Sequence, residues 1–269
     1  MATADSIPNL TPSAARAATG LLVVLTAMPS EPVETLLSNL AATFPADQMT
    51  IATPDPLLAE QHPELRFLTV NPTNSTWTLT AADFINAHQL AQKSEARAVL
   101  ILGPAADTLA PAALQALAAA VDSADLAIPC YDQPPRAGLV NAAILYPLTR
   151  ALFATRARFP LALDLGLSLR MAERLAAAGQ RFSTLSQSDA LLWPIDEAAA
   201  AGFTIQEIDA GPRTLPQPTE ADLNAVLALV TSSLFADIDA KAAFWQRARP
   251  CPLPVTPSRR LPTTTPPPT

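Results

Sequence analysis

Few side chains in this chain of 269 residues have the types and spacing that chemistry requires. The two histidines, His62 and His88, lack a nearby partner pattern, and no G-x-S-x-G turn supplies a nucleophilic serine. Cys130 and Cys251 are too isolated to form a metal-ligand cluster or a disulfide framework. The phosphate-binding patterns G-x-x-x-x-G-K-[ST] and G-x-G-x-x-G are both absent, which argues against kinase-type and dinucleotide-binding functions. The remaining candidates for chemistry are carboxylates and arginines.

The elements that must position these side chains alternate along the chain. Short β-type runs separated by helical segments predict an α/β sheet with mostly parallel strands. The predicted strands are residues 20–26, 49–53, 65–70, 98–103, 124–129 and 203–208.

The predicted helices have recognisable starting residues. Ser30 is the expected N-cap of the first helix, with Glu31 in its first turn. A second helix is expected from Thr80 to about Glu95, and a third near Pro111. The last helix is long, with Thr219 as its expected cap and Asp222 three residues on. Its apolar stripe predicts either a core face or a homodimer surface, through Leu223, Val226, Leu227, Val230, Leu234, Ile238 and Trp245.

Composition limits the classes of partner. The chain has 24 acidic and 17 basic residues, a net charge of -7 that disfavours nucleic acid. Its apolar runs are shorter than the roughly 20 residues of a membrane span, and residues 1–19 lack a signal-peptide pattern, so a cytoplasmic protein is expected. We predict one domain over residues 20–248, with a disordered arm at 1–19 and a disordered proline-rich tail at 249–269.

Two segments of the second half carry a more specific pattern. Tyr131 follows a predicted strand, a Pro-Leu-x-Arg-Ala-Leu helix occupies 147–152, and Pro-x-x-x-Asp-x-Gly-x-Ser occupies 160–168. Residues 191–213 then contain Trp-x-Ile-Asp, a helix, an edge strand and a turn. This combination resembles the nucleotide-sugar glycosyltransferases of the GT-A fold, and more narrowly the family 2-type enzymes related to mannosylglycerate and glucosyl-3-phosphoglycerate synthases. The matching positions are Tyr131, Pro147, Leu148, Arg150, Ala151, Leu152, Pro160, Asp164, Gly166, Ser168, Trp193, Ile195, Asp196, Gly211 and Arg213.

The resemblance implies a fold and a set of site residues. The fold would be a single GT-A-like α/β domain, with a mixed, mostly parallel sheet flanked by helices and a long C-terminal helix. Asp164 would act catalytically beside the reacting sugar; alternatively, it is a carboxylate at the N-terminus of the helix that follows it. Arg136 and Arg213 would neutralise the departing diphosphate, unless they are ordinary surface arginines. Asp55 would lie near the nucleoside, or belong to a plain turn. The predicted substrate-binding residues are Glu31, Asp55, Tyr131, Arg136, Trp193, Asp196 and Arg213.

The metal-binding part of the family pattern is missing. The Asp-x-Asp motif, which in the family holds Mg²⁺ or Mn²⁺, is replaced by Gly103, Pro104 and Ala105, and the metal-binding histidine falls on Leu215. Asp107, two residues beyond the motif, would be at most a weak substitute. We therefore predict no metal cofactor.

Two functions remain open at this point. One is a transferase that moves a sugar from a nucleotide-sugar donor to a small acceptor without a metal bound at an Asp-x-Asp motif. The alternative is an inactive homologue that acts as a binding or assembly module. A nucleotidyltransferase is disfavoured because its glycine-rich N-terminal loop is absent from residues 21–34. A working transferase should keep an open, polar pocket between Leu25, Gly103 and Arg213.

Overall fold

The computed structural model describes residues 20–26, 28–73, 77–133, 138, 140–161, 163–184, 187, 190–216 and 223–247. Several predictions fall outside these residues: the N-terminal arm, the proline-rich tail, Arg136, and the helix cap formed by Thr219 with Asp222.

A seven-stranded mixed sheet forms the centre of the fold. Its order is β3-β2-β1-β4-β6-β5-β7. Strands β3, β2, β1 and β4 are parallel to one another, and β5 is parallel to β7, whereas β6 runs antiparallel to both of its neighbours, β4 and β5. The strands are β1 (Leu21–Leu25), β2 (Met49–Thr53), β3 (Phe67–Thr69), β4 (Ala98–Leu102), β5 (Leu126–Asp132), β6 (Leu165–Ser168) and β7 (Ile205–Pro212).

The predicted strands are confirmed, but β6 was not expected. It places Asp164 directly before a strand, and the following helix begins only at Leu169. Ser168 is the N-cap of that helix, because its hydroxyl accepts a hydrogen bond from the Met171 amide at 3.3 Å. The alternative that Asp164 is a carboxylate at this helix N-terminus is therefore wrong.

Helices cover both faces of the sheet. The first begins at Ser30 itself, with Pro29 as its N-cap, since the Pro29 carbonyl accepts the first helical hydrogen bond, from Val33 N at 3.2 Å. Ser30 is thus not the cap that the sequence suggests. The helices are α1 (Ser30–Thr43), α2 (Leu58–Gln61), α3 (Ala81–Ser94), α4 (Pro111–Ala120), α5 (Tyr146–Phe153), α6 (Leu169–Ser183), α7 (Pro194–Ala201), α8 (Leu223–Ala240) and α9 (Ala242–Trp245).

Side chains of the central strands alternate between two cores. In β1, Leu22 and Val24 pack with Phe84 of α3, whereas Leu21, Val23 and Leu25 pack with residues of α1 and α4. This alternation follows from the two-residue period of a strand and fixes which residues can reach the sheet edge.

A third core joins α7 and α8. The α8 residues Val230, Leu234 and Ile238 are buried there, so this part of the predicted stripe is a core face. Trp245 lies in the separate helix α9, where its indole nitrogen donates to the Ile238 carbonyl at 2.9 Å. Within the described residues, no helix combines the length and apolarity that a membrane span needs.

Candidate functional site

Asp164 lies at the edge of the sheet where β4 and β5 end. Because β6 is antiparallel to both strands, its first residues lie beside their carboxyl ends: Ile101 of β4 pairs with Leu165. Ligands of open α/β sheets bind at this edge. The strand order therefore explains why a residue that precedes β6 reaches the expected site.

The Asp164 carboxylate is buried, with 0% of its side chain exposed. Its Oδ1 accepts hydrogen bonds from Gly103 N at 3.0 Å and Arg213 Nη2 at 3.1 Å. Its Oδ2 accepts from the Tyr131 hydroxyl at 2.7 Å and Arg213 Nε at 2.8 Å. The structure thus brings together three residues that the sequence proposed separately, Asp164, Tyr131 and Arg213.

The protonation state of Tyr131 follows from its surroundings. Burial, and then the negative charge of Asp164, raise the pKa of the Tyr131 phenol well above its ordinary value. Tyr131 therefore stays neutral and acts as a hydrogen-bond donor to the carboxylate.

A bulge at the end of β7 helps to place Arg213. The pairing of β5 with β7 shifts register between Cys130 and Tyr131, so that Tyr131 faces Gly211. Gly211 adopts a left-handed backbone with φ 64°, which glycine accommodates at no steric cost. Bulges redirect the side chains that follow them, and here Arg213 comes two residues after Gly211.

The Arg213 guanidinium is also 0% exposed and is surrounded by oxygen atoms. Besides Asp164, it donates to the carbonyls of Pro104 and Thr214, both at 2.9 Å, and to that of Ala105. The Thr108 hydroxyl lies 3.4 Å from Nη1. Burial by itself lowers the pKa of Arg213, but the charge and hydrogen bonds of Asp164, together with the nearby Tyr131 and Asp107, outweigh burial and raise the pKa above its ordinary value. The guanidinium is therefore a fixed positive charge.

An open polar cavity of about 490 Å³ borders this network. Since the Arg213 side chain is not exposed, that residue lines the cavity with its main chain. The space beside Leu25 is a separate cleft of about 10 Å³. Neither cavity is lined by Gly103 and neither joins Leu25 with Arg213, so the two cavities do not form the single open pocket expected of a working transferase. The larger cavity is lined by Thr108, Asp132, Gln133, Pro212, Arg213 and Thr214.

The remaining predicted site residues lie elsewhere. Glu31 is exposed in the first turn of α1. Asp55 forms a turn after β2, in which its Oδ1 accepts from Leu57 N at 2.9 Å. Trp193 and Asp196 are both buried at the contact of α7 with α8, outside the Asp164 network.

Some members of the network were missed from sequence. Thr108 and Gln133 carry no motif; Gln133 donates from Nε2 to the Arg213 carbonyl at 2.8 Å. The carbonyls of Pro104 and Ala105 belong to the positions noted for their missing carboxylates, and only the folded backbone turns them toward Arg213. Among the described residues, no cluster of three or more His, Cys, Asp or Glu side chains is arranged to hold a metal ion.

Comparison with solved structures identifies the fold. No protein-family model matches the sequence, and no curated protein matches it. Glucosyl-3-phosphoglycerate synthase from Mycobacterium tuberculosis, in complex with Mn²⁺, UDP and glucosyl-3-phosphoglycerate, is similar at 14% identity and a TM-score of 0.53, over 82% of this chain and 81% of that chain. The same enzyme with Mn²⁺ and UDP-glucose gives 15% identity and a TM-score of 0.52, over 86% of this chain and 84% of that one. A further mycobacterial protein gives 15% identity and a TM-score of 0.52, over 86% and 80% of the two chains. The chain therefore has the α/β fold of the GT-A nucleotide-sugar glycosyltransferases.

Proposed function

We propose that this protein is a catalytically inactive relative of the glycosyltransferases, which binds a nucleotide sugar without transferring the sugar and serves as a binding or assembly module. The observation that carries the proposal is that groups of the protein enclose the Asp164 carboxylate completely. Both carboxylate oxygens are occupied by donors of the protein, and the side chain is 0% exposed. A catalytic carboxylate must contact the reacting sugar, and this one contacts Arg213, Tyr131 and Gly103 instead.

The backbone at the end of β4 supports the same proposal. A Cβ atom at Gly103 would lie 2.8 Å from the Leu163 carbonyl oxygen and 2.9 Å from the Leu163 Cβ. An aspartate at this position, as in an Asp-x-Asp motif, requires the Leu163 segment to move. The packing around Gly103 thus leaves no room, without a shift of Leu163, for the carboxylate that an Asp-x-Asp motif would place there.

A metal-independent transferase is the second candidate, and the open cavity beside Arg213 favours it. This cavity holds an exposed carboxylate, Asp132, and the Gln133 amide, and polar groups of these kinds hydrogen-bond to sugar hydroxyls. Arg136, the predicted diphosphate cation, follows them in sequence. In this case the acceptor and donor would react at the mouth of the cavity, and an arginine would supply the positive charge that a metal otherwise supplies.

Thermal unfolding of the full chain tests both candidates. UDP, UDP-glucose and other nucleotide sugars are added with and without Mn²⁺, and release of UDP is followed separately. A bound ligand at 100 times its dissociation constant stabilises the folded state by about 2.7 kcal/mol. The binding-module proposal expects stabilisation by a nucleotide sugar without Mn²⁺, and no UDP release above that of a buffer control.

The alternatives give different results. If wild type releases UDP, and Asp132→Asn abolishes this release while keeping the thermal stability of wild type, the metal-independent transferase would replace the proposal. Stabilisation only in the presence of Mn²⁺ would contradict both candidates. No shift with any nucleotide would contradict nucleotide-sugar binding and leave assembly with a protein partner as the module's role.

A homodimer through α8 stays a prediction. The helix exposes Leu229 and Phe235, at 48% and 52%, on the side away from its buried stripe. We expect Phe235→Ser to convert a dimer to a monomer in sedimentation experiments, and a wild-type monomer at all concentrations would contradict this prediction.

A further inference from the structure

Oxygen atoms from four segments surround the Arg213 guanidinium. They are two carboxylate oxygens of Asp164, three main-chain carbonyl oxygens and one hydroxyl oxygen. Carboxylates, carbonyls and hydroxyls form the donor set that hard divalent cations prefer. We propose that Arg213 is the resident cation of this site, and that its guanidinium occupies the oxygen cage that would otherwise attract a divalent metal.

The residues present do not fit the metal that the fold family implies. Gly103 and Ala105 offer no side-chain oxygen, and Asp164, the carboxylate that bonds to the guanidinium, already forms a bidentate pair with Arg213. The pair is electrically neutral and buried. A divalent ion that entered would meet the guanidinium charge at short range in a medium of low dielectric constant, where repulsion is strong. Mg²⁺ or Mn²⁺ can therefore bind here only if Arg213 leaves.

The backbone conformation of Ala105 is consistent with this arrangement. Ala105 has a left-handed backbone with φ 61°, which is unfavourable for a residue with a Cβ atom. Its carbonyl accepts a hydrogen bond from Arg213 Nη1, and Thr108 Oγ1 donates to the same carbonyl at 2.8 Å. The loop in which the family resemblance expects an Asp-x-Asp motif thus directs main-chain carbonyl oxygens toward a cation that the chain itself supplies.

This inference deepens the proposed function and rests on it, because both require a site that works without a metal. Mn²⁺ binding, measured by electron paramagnetic resonance and titration calorimetry, tests the inference without any nucleotide. Wild type should show no saturable binding. Arg213→Gln removes the positive charge but keeps an amide donor, and it should show the saturable Mn²⁺ binding that wild type lacks. Arg174→Gln is the matched control, since Arg174 also pairs with a carboxylate, Glu197, and should leave Mn²⁺ binding unchanged.

Two results would overturn the inference. The first is saturable Mn²⁺ binding by wild type that Asp164→Asn abolishes. The second is a folded Arg213→Gln variant that binds Mn²⁺ no better than Arg174→Gln. If Arg213→Gln does not fold, Arg213→Lys is the second variant: it should fold and show no saturable Mn²⁺ binding, because a cation is again present. Failure of both variants to fold would also count against a role for the charge. UDP release by wild type would refute the proposed function and leave the ion-binding result intact, so the two failures are distinguishable.

Discussion

The buried carboxyl group of Asp196, beside the half-buried carboxyl group of Asp237 at the contact of α7 with α8, makes the stability of the fold sensitive to pH. Asp196 is 0% exposed, and no donor among the described residues bonds to either of its oxygens. Its neighbour is the carboxyl group of Asp237. Lys241 is the nearby cation, but it is paired with Glu197 at 2.8 Å and with Asp237. Two carboxyl groups can hydrogen-bond to each other only when they share a proton, so one of them must be protonated.

The expected effect of Asp196→Asn follows from this proton. Burial, and then the negative charge of Asp237, raise the pKa of Asp196 well above its ordinary value of about 3.9. Between the ordinary pKa of Asp196, which applies to the unfolded chain, and its raised pKa in the folded state, the folded state binds more protons than the unfolded state. Wild type therefore loses stability as pH rises through this range. The loss for one proton is about 1.4 kcal/mol per pH unit. Asparagine replaces the protonated carboxyl with an amide that donates to Asp237 at every pH. Relative to wild type, Asp196→Asn should therefore gain stability as pH rises above the ordinary pKa of an aspartate, by at most about 1.4 kcal/mol per pH unit.

Urea unfolding of the full chain at pH 5, 6, 7 and 8 measures this difference. Asp239→Asn is the matched control: Asp239 is exposed on α8, two residues from Asp237, and its variant should follow the wild-type pH dependence. Equal pH slopes for wild type and Asp196→Asn would refute the reasoning. A variant less stable than wild type at pH 8 would refute it as well, since it would mean that a charged Asp196 is stabilised by Lys241.

Three further predictions concern the sheet edge and its supports. Ala105→Gly should raise the free energy of unfolding by about 0.5–1 kcal/mol by relieving the left-handed backbone; a loss of stability in urea would contradict this. Gly103→Asp should destabilise by about 2 kcal/mol or more, because its Cβ would collide with Leu163, and it should not create Mn²⁺ binding; a stable, Mn²⁺-binding variant would disprove the steric argument. Asp125→Ala should cost about 1–3 kcal/mol, mainly because the Ser168 and Thr204 groups that bond to Asp125 lose their acceptor; its pair with Arg170 adds little, since 61% of the Arg170 side chain is exposed. Arg170 holds the pKa of Asp125 well below its ordinary value, so this contribution is present above that value and lost in acid, and an equal cost at pH 2 and pH 7 would contradict it.

Local sequence signals predicted most of the elements. Runs such as 49–53 and 98–103 are apolar and rich in β-formers, and each became a strand within a residue or two. The segment Thr80 to Glu95 became α3, with Thr80 as its N-cap. These signals depend on a few neighbouring residues, so they can be recognised without knowledge of the fold. Strand β6 escaped prediction because its four residues precede a helix without a break, and only pairing with β4 and β5 makes them extended.

The sequence by itself also determined which candidate site residues are present: it has Asp164, Tyr131 and Arg213, and positions 103–105 hold no carboxylate. Only the tertiary structure decided what these residues do to one another. The antiparallel insertion of β6 and the bulge in β7 bring Asp164 and Arg213, 49 residues apart in the chain, into one buried pair. Removing both groups from water favours a closed, neutral network over exposed charges, because a buried charge is costly unless it is paired. That preference depends on burial and distance, which are properties of the folded chain and are not encoded in the spacing of the residues.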